Sequence, residues 1–330
     1  MQANPFPERI ASLLKAELHL HLEGSIRPAI ASALAARHGV KLTEEEVRRR
    51  YAYTNFAGFL DAFKWVTSFV REPRDFALIA ADLAEQLMEQ KVVYAEVTLS
   101  VGVMFLRQQQ PEANFAAILA ATEPFEKRGL RLNWIFDAVR QFGAEAAMRV
   151  VQAARRCASR RIVAFGIGGD ELSLPAAEFR GVYERAEEYG FHRLIHAGEI
   201  GGPEKIREAI EILGVERIGH GIAAIRDEAL MEQLAERRIP LEICPASNLR
   251  TGALGVQIGK DAATMEEHPL AEIVRRGVAV TLATDDPAMF HTSLEEEYRS
   301  AWGMGLTEGE ILGVVENGFR FAFGTTGRIS

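Results

Sequence analysis

Two histidines one residue apart, His19 and His21, close the short apolar run Ala16-Glu17-Leu18-His19-Leu20-His21-Leu22. Alternate residues of a strand point to one face, so imidazoles at i and i+2 can reach a single metal ion. A His-x-His pair also arises on any half-buried strand and carries weight only with support elsewhere. That support is positional. His196, His220 and the pair Asp285-Asp286 each stand at the end of a further strand-like run. Four of the eight histidines occupy such positions, which chance explains poorly. His19, His21, His196 and Asp285 offer three neutral nitrogens and one carboxylate, enough to hold one divalent ion and leave room for water. Zinc matches that set; iron, cobalt and manganese accept the same ligand types. Zinc lowers the pKa of a bound water to about 7 and so supplies hydroxide at neutral pH. The other four histidines, His38, His192, His268 and His291, are expected to serve packing, with His291 close to the pocket.

Two carboxyl groups beside these residues can do proton chemistry. Glu199 follows His196 by three residues, where it can protonate a substrate if burial raises its pKa. The alternative is a first-turn acid of the next helix. Asp286 precedes Pro287, which disfavours helix at Asp286, so the strand is expected to break there and free that side chain for substrate.

These residues need a common frame. Strand character is found at roughly 16–22, 93–99, 132–138, 162–167, 191–196, 217–220, 240–244 and 278–284. Several runs, such as Ile162-Val163-Ala164-Phe165-Gly166-Ile167, are nearly continuous and apolar, as a parallel strand buried on both faces requires. Helix-length stretches lie between them, for example Pro203 to Leu213, with Ile206, Ile210 and Leu213 on one face. Eight such repeats predict a (β/α)₈ TIM barrel, in which all the site residues stand on the C-terminal rim. No Gly-x-Gly-x-x-Gly turn follows the first strand, so a dinucleotide fold has no support. Residues from about 24 to 90 read as a helical insertion carrying Phe56, Phe59, Phe63, Trp65 and Phe69, placed where it can wall or cover the pocket. One barrel domain over residues 1–330 is the expectation.

Composition narrows the partners. A net charge of −8 argues against a broad nucleic-acid or acidic-membrane surface, and a chain 48% hydrophobic and 25% charged can build an ordinary globular core. Cys157 and Cys244 form no disulfide framework and no metal knuckle. No apolar run is long enough to span a membrane and no signal-peptide pattern is present, so a cytoplasmic location is expected.

Six segments together resemble the adenosine deaminase family of the amidohydrolase superfamily. They are Glu17-Leu18-His19-Leu20-His21-Leu22-Glu23-Gly24, Gly168-Gly169-Asp170-Glu171, His196-Ala197-Gly198-Glu199, Arg217-Ile218-Gly219-His220-Gly221, Cys244-Pro245-Ala246-Ser247-Asn248 and Thr284-Asp285-Asp286-Pro287. The resemblance implies one zinc per chain on His19, His21, His196 and Asp285. It implies that Glu199 protonates purine N1, and that His220 orients the metal-bound water and takes its proton with help from Asp285. The backbone N–H of Gly169 would contact N3, and Asp286 would accept from N7. The implied reaction turns a 6-aminopurine into a 6-oxopurine and ammonia. The other zinc deaminase class carries a His-x-Glu and Pro-Cys-x-x-Cys signature, which is absent here.

Departures from the family pattern bear on substrate. Adenosine deaminases usually place Asp where Glu23 stands, next to the sugar, and often read Arg plus an aromatic or proline after the second strand. This chain reads Glu96-Val97-Thr98-Leu99-Ser100-Val101-Gly102-Val103. Adenine deaminases share the Glu-Gly after the histidines but usually lack the Gly-Asp-Glu turn, and carry a glycine-rich stretch where Ala288 to Leu294 stand here. A purine nucleoside is therefore expected as the small-molecule partner, either adenosine or 6-amino-6-deoxyfutalosine. Lys64, Arg107 and Arg140 could pair with the carboxylate of the latter, although each also fits an ordinary surface or rim charge. The alternatives are an adenine deaminase, an amidohydrolase cutting a different amide or phosphoester bond, and a non-catalytic binding barrel.

Overall fold

Runs of residues buried on both faces make the sheet. In the computed structural model, which describes residues 6–324, the strands are β1 (Lys15–His21), β2 (Val92–Leu99), β3 (Arg131–Val139), β4 (Ile162–Gly168), β5 (His192–Ala197), β6 (Arg217–His220), β7 (Leu241–Ile243) and β8 (Val280–Leu282). They pair in sequence order, every neighbour parallel, as the expected (β/α)₈ barrel requires. β8 returns to β1 through Asp285, whose N–H donates to His19 O at 3.1 Å and whose carbonyl accepts from His21 N–H at 2.7 Å. The closure of the barrel and the placement of a site residue are thus one event.

The last two strands are shorter than their apolar runs. Pro240 has no N–H to give a ladder, and Cys244 precedes Pro245 at the start of the helix Pro245–Arg250, so β7 stops at Ile243. Beyond β8, the Thr284 N–H and hydroxyl both donate to Glu17 Oε1, at 3.0 and 2.5 Å, and Asp285 turns to φ 62°. Alternation in β1 is also broken. Glu17 pairs with Ala95 but Leu20 with Val97, so the ladder slips by one residue next to His19, and such slips re-aim side chains.

Four helices separate β1 from β2: Pro28–Arg37, Glu44–Arg50, Phe56–Thr67 and Pro73–Glu89. Prolines open the first and last, Thr43 closes a capping box on the second, and the Asn55 side chain caps the third. The third packs on the segment after β8. Phe59 lies 4.9 Å from Phe290 between ring centroids, and Tyr53 donates to Met289 O at 2.7 Å. The insertion therefore sits beside the C-terminal rim, as expected from its position in the chain.

Near the opposite end of the barrel, the chain after the last helix forms a plug. Phe323 and Gly324 donate their N–H groups to Glu96 Oε1 at 2.6 and 3.3 Å, and Phe321 O accepts from Arg217 at 2.9 Å. The Arg217 guanidinium lies 3.7 Å from the Phe323 ring centroid, and that ring stacks on His192. No helix among the described residues is long and apolar enough to cross a membrane.

Candidate active site

At the C-terminal rim, side chains from β1, β5, β6 and the end of β8 converge. Asp285 Oδ1 lies 3.5 Å from His19 Nε2 and 3.3 Å from His21 Nε2, and His21 Nε2 lies 3.3 Å from His196 Nε2. His220 Nε2 is 3.7 Å from Glu199 Oε2 and 3.9 Å from Asp285 Oδ2. One nitrogen from each of His19, His196 and His220 and one oxygen of Asp285 all lie within 4.8 Å of one another, and His21 forms a second such group with Asp285 and Asp286. The histidines and Asp285 singled out from the sequence thus stand together at one rim, with His220 as near the centre as the expected ligands.

The backbone pays for this convergence. His220 and Asp285 both sit in the left-handed region, at φ 61° and 62°, which disfavours side chains other than glycine. Gly219 supplies space: a Cβ there would meet His19 Cε1 at 2.6 Å.

Three of these groups, His19, His196 and Asp285, are held from behind. His19 Nδ1 lies 2.7 Å from Glu242 Oε2, His196 Nδ1 3.3 Å from Ile167 O, and the Ser247 hydroxyl donates to Asp285 Oδ2 at 2.7 Å. Such partners orient an imidazole or carboxylate for a metal. The residues fit a divalent cation on the evidence of their own atoms. His19 Nε2 is buried and has no hydrogen-bond partner. Burial opposes charge on His19, yet the nearby carboxylates of Asp285 and Glu242 outweigh it and raise its pKa to about 10. His21 is raised to about 9 against the same burial, by Asp286 and Asp285. The carboxylates attract positive charge that a divalent ion would supply in place of protons.

Glu199 is aimed by its loop. Its carboxyl is nearly buried, and burial first, then Asp285 and Glu171, push its pKa well above the usual range. The buried Glu171 carboxylate accepts from four successive N–H groups, those of Gly198, Glu199, Ile200 and Gly201, the last three at 3.2, 3.1 and 2.9 Å. Gln257 donates to the carbonyls of Glu199 and Gly201 at 2.8 and 2.9 Å. Gly198 takes φ 70°, and a Cβ there would strike Ile206 at 2.5 Å. Glu199 is therefore no simple first-turn acid.

A sequence profile described as adenosine deaminase matches residues 14–328, nearly the whole chain. The chain belongs to the adenosine deaminase family. It is a deaminase, a hydrolase acting on C–N bonds, of a metal-dependent family. An aminodeoxyfutalosine deaminase of Streptomyces coelicolor is 39% identical over 321 residues, covering 95% of this chain and 81% of that one. An adenine deaminase of Paraburkholderia xenovorans is 31% identical, covering 99% and 93%. Among solved structures, an adenine deaminase of Arthrobacter aurescens superimposes with a TM-score of 0.87 at 28% identity, covering 94% of each chain.

The remaining expected residues differ in their surroundings. Asp286 is buried, with Oδ1 unpartnered, and a Cβ on Gly24 would overlap its carboxyl. Glu23 is buried; its Oε1 accepts from Ser100 N–H at 3.1 Å while Oε2 has no partner. Gly169 is exposed on the rim at φ 96°. The three cations considered for a substrate carboxylate fare differently. Lys64 is exposed. Arg107 is spent on the carbonyls of Lys64 and Thr67 and the Thr67 hydroxyl. Arg140 is not a surface charge: it is buried and donates to Leu174 O and His196 O at 3.2 and 3.4 Å.

Sequence reasoning missed Glu242, Asp137, Glu171 and Gln257, and gave Ser247 and Asn248 no role. Glu242 and Asp137 had a signal, a carboxylate flanked by apolar residues within a strand. Burial raises Asp137 to about 7, with His21 and His19 pulling the other way. His268 was assigned to packing but stands behind His220, with its Nε2 3.2 Å from Asn248 Oδ1.

Proposed function

We propose that this enzyme is a zinc-dependent deaminase of the 6-amino group of 6-amino-6-deoxyfutalosine, with adenosine as the second candidate, and that it acts in the cytoplasm as one barrel domain. The observation that carries this reading is a buried, raised acid, Glu199, facing the His19, His21, His196 and Asp285 group, with His220 Nε2 3.7 Å from Glu199 Oε2 and 3.9 Å from Asp285 Oδ2. The preference for the futalosine analogue follows the 38–39% identity to two aminodeoxyfutalosine deaminases.

His19, His21, His196 and Asp285 would hold the ion, which when bound supplies Lewis acidity and makes water a nucleophile near neutral pH. Glu199 donates a proton to purine N1 and withdraws electron density from C6, so that hydroxide adds there. Of the two protons the water gives up, one goes to the amino group, which leaves as ammonia, and one returns to Glu199. His220 and Asp285 orient the attacking water. Burial, reinforced by Asp285, pushes the Asp286 carboxyl well above the usual range and favours its protonated form. Asp286 therefore donates to N7, because N7 of a 9-substituted purine offers only a lone pair. That reverses the direction implied by the family pattern. Gly169 N–H approaches N3, and the open Glu23 Oε2 accepts from a sugar hydroxyl.

The test is a competition among 6-amino-6-deoxyfutalosine, adenosine and adenine on zinc-loaded protein, with each 6-oxo product followed by chromatography. We expect kcat/KM for the futalosine analogue to exceed both others by at least about tenfold, equivalent to about 1.4 kcal/mol of transition-state binding. Preference for adenosine would favour the second candidate, and preference for adenine would favour an adenine deaminase, the reading suggested by the adenine deaminases at 31–35% identity. Turnover of none of the three would reject purine deamination.

A further inference from the structure

We propose that His268 and Asn248 lock His220 in the tautomer that carries its proton on Nε2, so that His220 presents a hydrogen-bond donor, and not a lone pair, to the gap between Glu199 and Asp285. The lock begins at a backbone group with only one hydrogen-bonding sense. Leu270 N–H donates to His268 Nδ1 at 3.1 Å, which makes that nitrogen an acceptor and leaves the ring proton on Nε2. His268 Nε2 lies 3.2 Å from Asn248 Oδ1, which can only accept. The direction of the Asn248 amide is thereby set, and its Nδ2 faces His220 Nδ1 at 3.1 Å. An amide nitrogen only donates, so His220 Nδ1 is an acceptor and its proton sits on Nε2. Asn248, His220 and His268 are 0%, 1% and 4% exposed, so water does not offer competing partners.

Two consequences follow for the site. A nitrogen that carries a proton cannot ligate a metal, which separates His220 from His19 and His196 despite its place within 4.8 Å of them, and leaves the ligand position to His21. His220 also cannot take the proton of an attacking water; it donates to that water's oxygen instead. Asp285 Oδ2, 3.9 Å from His220 Nε2, is then the neighbouring acceptor, and the water proton passes to it as hydroxide forms. His268 and Asn248 are positioning residues, acting through His220. Their kinetic consequence rests on the proposed deamination, whereas the tautomer does not.

The tautomer can be read directly. On zinc-loaded protein with 15N-labelled histidine, a long-range 1H–15N correlation spectrum distinguishes protonated from bare ring nitrogens, and a His220→Gln spectrum identifies the His220 signals. We expect a protonated Nε2 and a bare Nδ1; a proton on Nδ1, or on both nitrogens, overturns the proposal. Asn248→Asp provides the second arm. An aspartate accepts from both histidines, so the proton should move to Nδ1 and kcat should fall on the order of 10²–10⁴-fold with KM little changed, the scale of a wrong-tautomer histidine in other hydrolases. An unmoved proton, or a moved proton with unchanged kcat, would equally overturn it. If Asn248→Asp does not fold, the spectrum of the unaltered protein decides alone. The spectrum is independent of substrate choice, so failure of the lock and failure of purine deamination are distinguishable.

Discussion

Glu199→Gln should lower kcat about 10³-fold while the protein keeps its metal. Glutamine preserves the size of the side chain and leaves the clamp of Glu171 and Gln257 on its loop intact, because those contacts engage backbone groups. What disappears is a transferable proton, and general acid catalysis is typically worth 10²–10⁴-fold. The pH response has a definite sign. Burial and the Asp285 carboxylate hold the Glu199 pKa well above the usual carboxylate range, so the acid keeps its proton to higher pH than an ordinary carboxyl. Activity falls as pH rises through that raised value, and Glu199→Gln should lose this alkaline limb. Single-turnover kinetics with metal analysis checks both. A variant with ordinary kcat would remove Glu199 from the mechanism.

Arg217→Met should cost about 3–5 kcal/mol of stability, the range for stripping one partner from a buried ion pair. Arg217 contacts Glu96 Oε2 at 2.7 Å and Glu242 Oε1 at 2.6 Å, and all three side chains are at most 1% exposed. Methionine fills much of the volume but leaves two carboxylates without their cation. Arg217 is also the contact through which Phe321 and Phe323 seal that end of the barrel. The damage should spread to the site, since Glu242 holds His19 Nδ1 at 2.7 Å. Urea denaturation reads the loss as a lower midpoint. A midpoint within experimental error of the unaltered protein would mean that the Glu96–Arg217–Glu242 group contributes no net stability.

Much of this was legible in the chain. The eight strands lie within a few residues of their apolar runs, because a parallel strand buried on both faces leaves a continuous signature. The rim histidines and Asp285-Asp286 were legible for a related reason: polar residues that close apolar runs stand out. What was not legible depends on partners distant in sequence. Glu171 reads as one more acid in a turn until the N–H groups of residues 198–201 close around it. His268 belongs to the site only through Asn248, and Arg217 looks like an ordinary strand-end charge until Glu96 and Glu242 flank it inside the barrel. The direction of Asp285 could not be read either, since alternation does not anticipate a left-handed aspartate that stitches β8 to β1.

The His19, His21, His196 and Asp285 group is proposed to hold one catalytic zinc for deamination of a purine nucleoside. Metal-stripped protein titrated with zinc, with the 6-amino to 6-oxo absorbance change of 6-amino-6-deoxyfutalosine as the readout, tests it most directly. Activity should rise linearly and break at one zinc per chain, with ammonia released in step, and should not rise in His19→Ala or Asp285→Ala. Full turnover by the stripped protein, or zinc-dependent turnover undiminished in both variants, would contradict it.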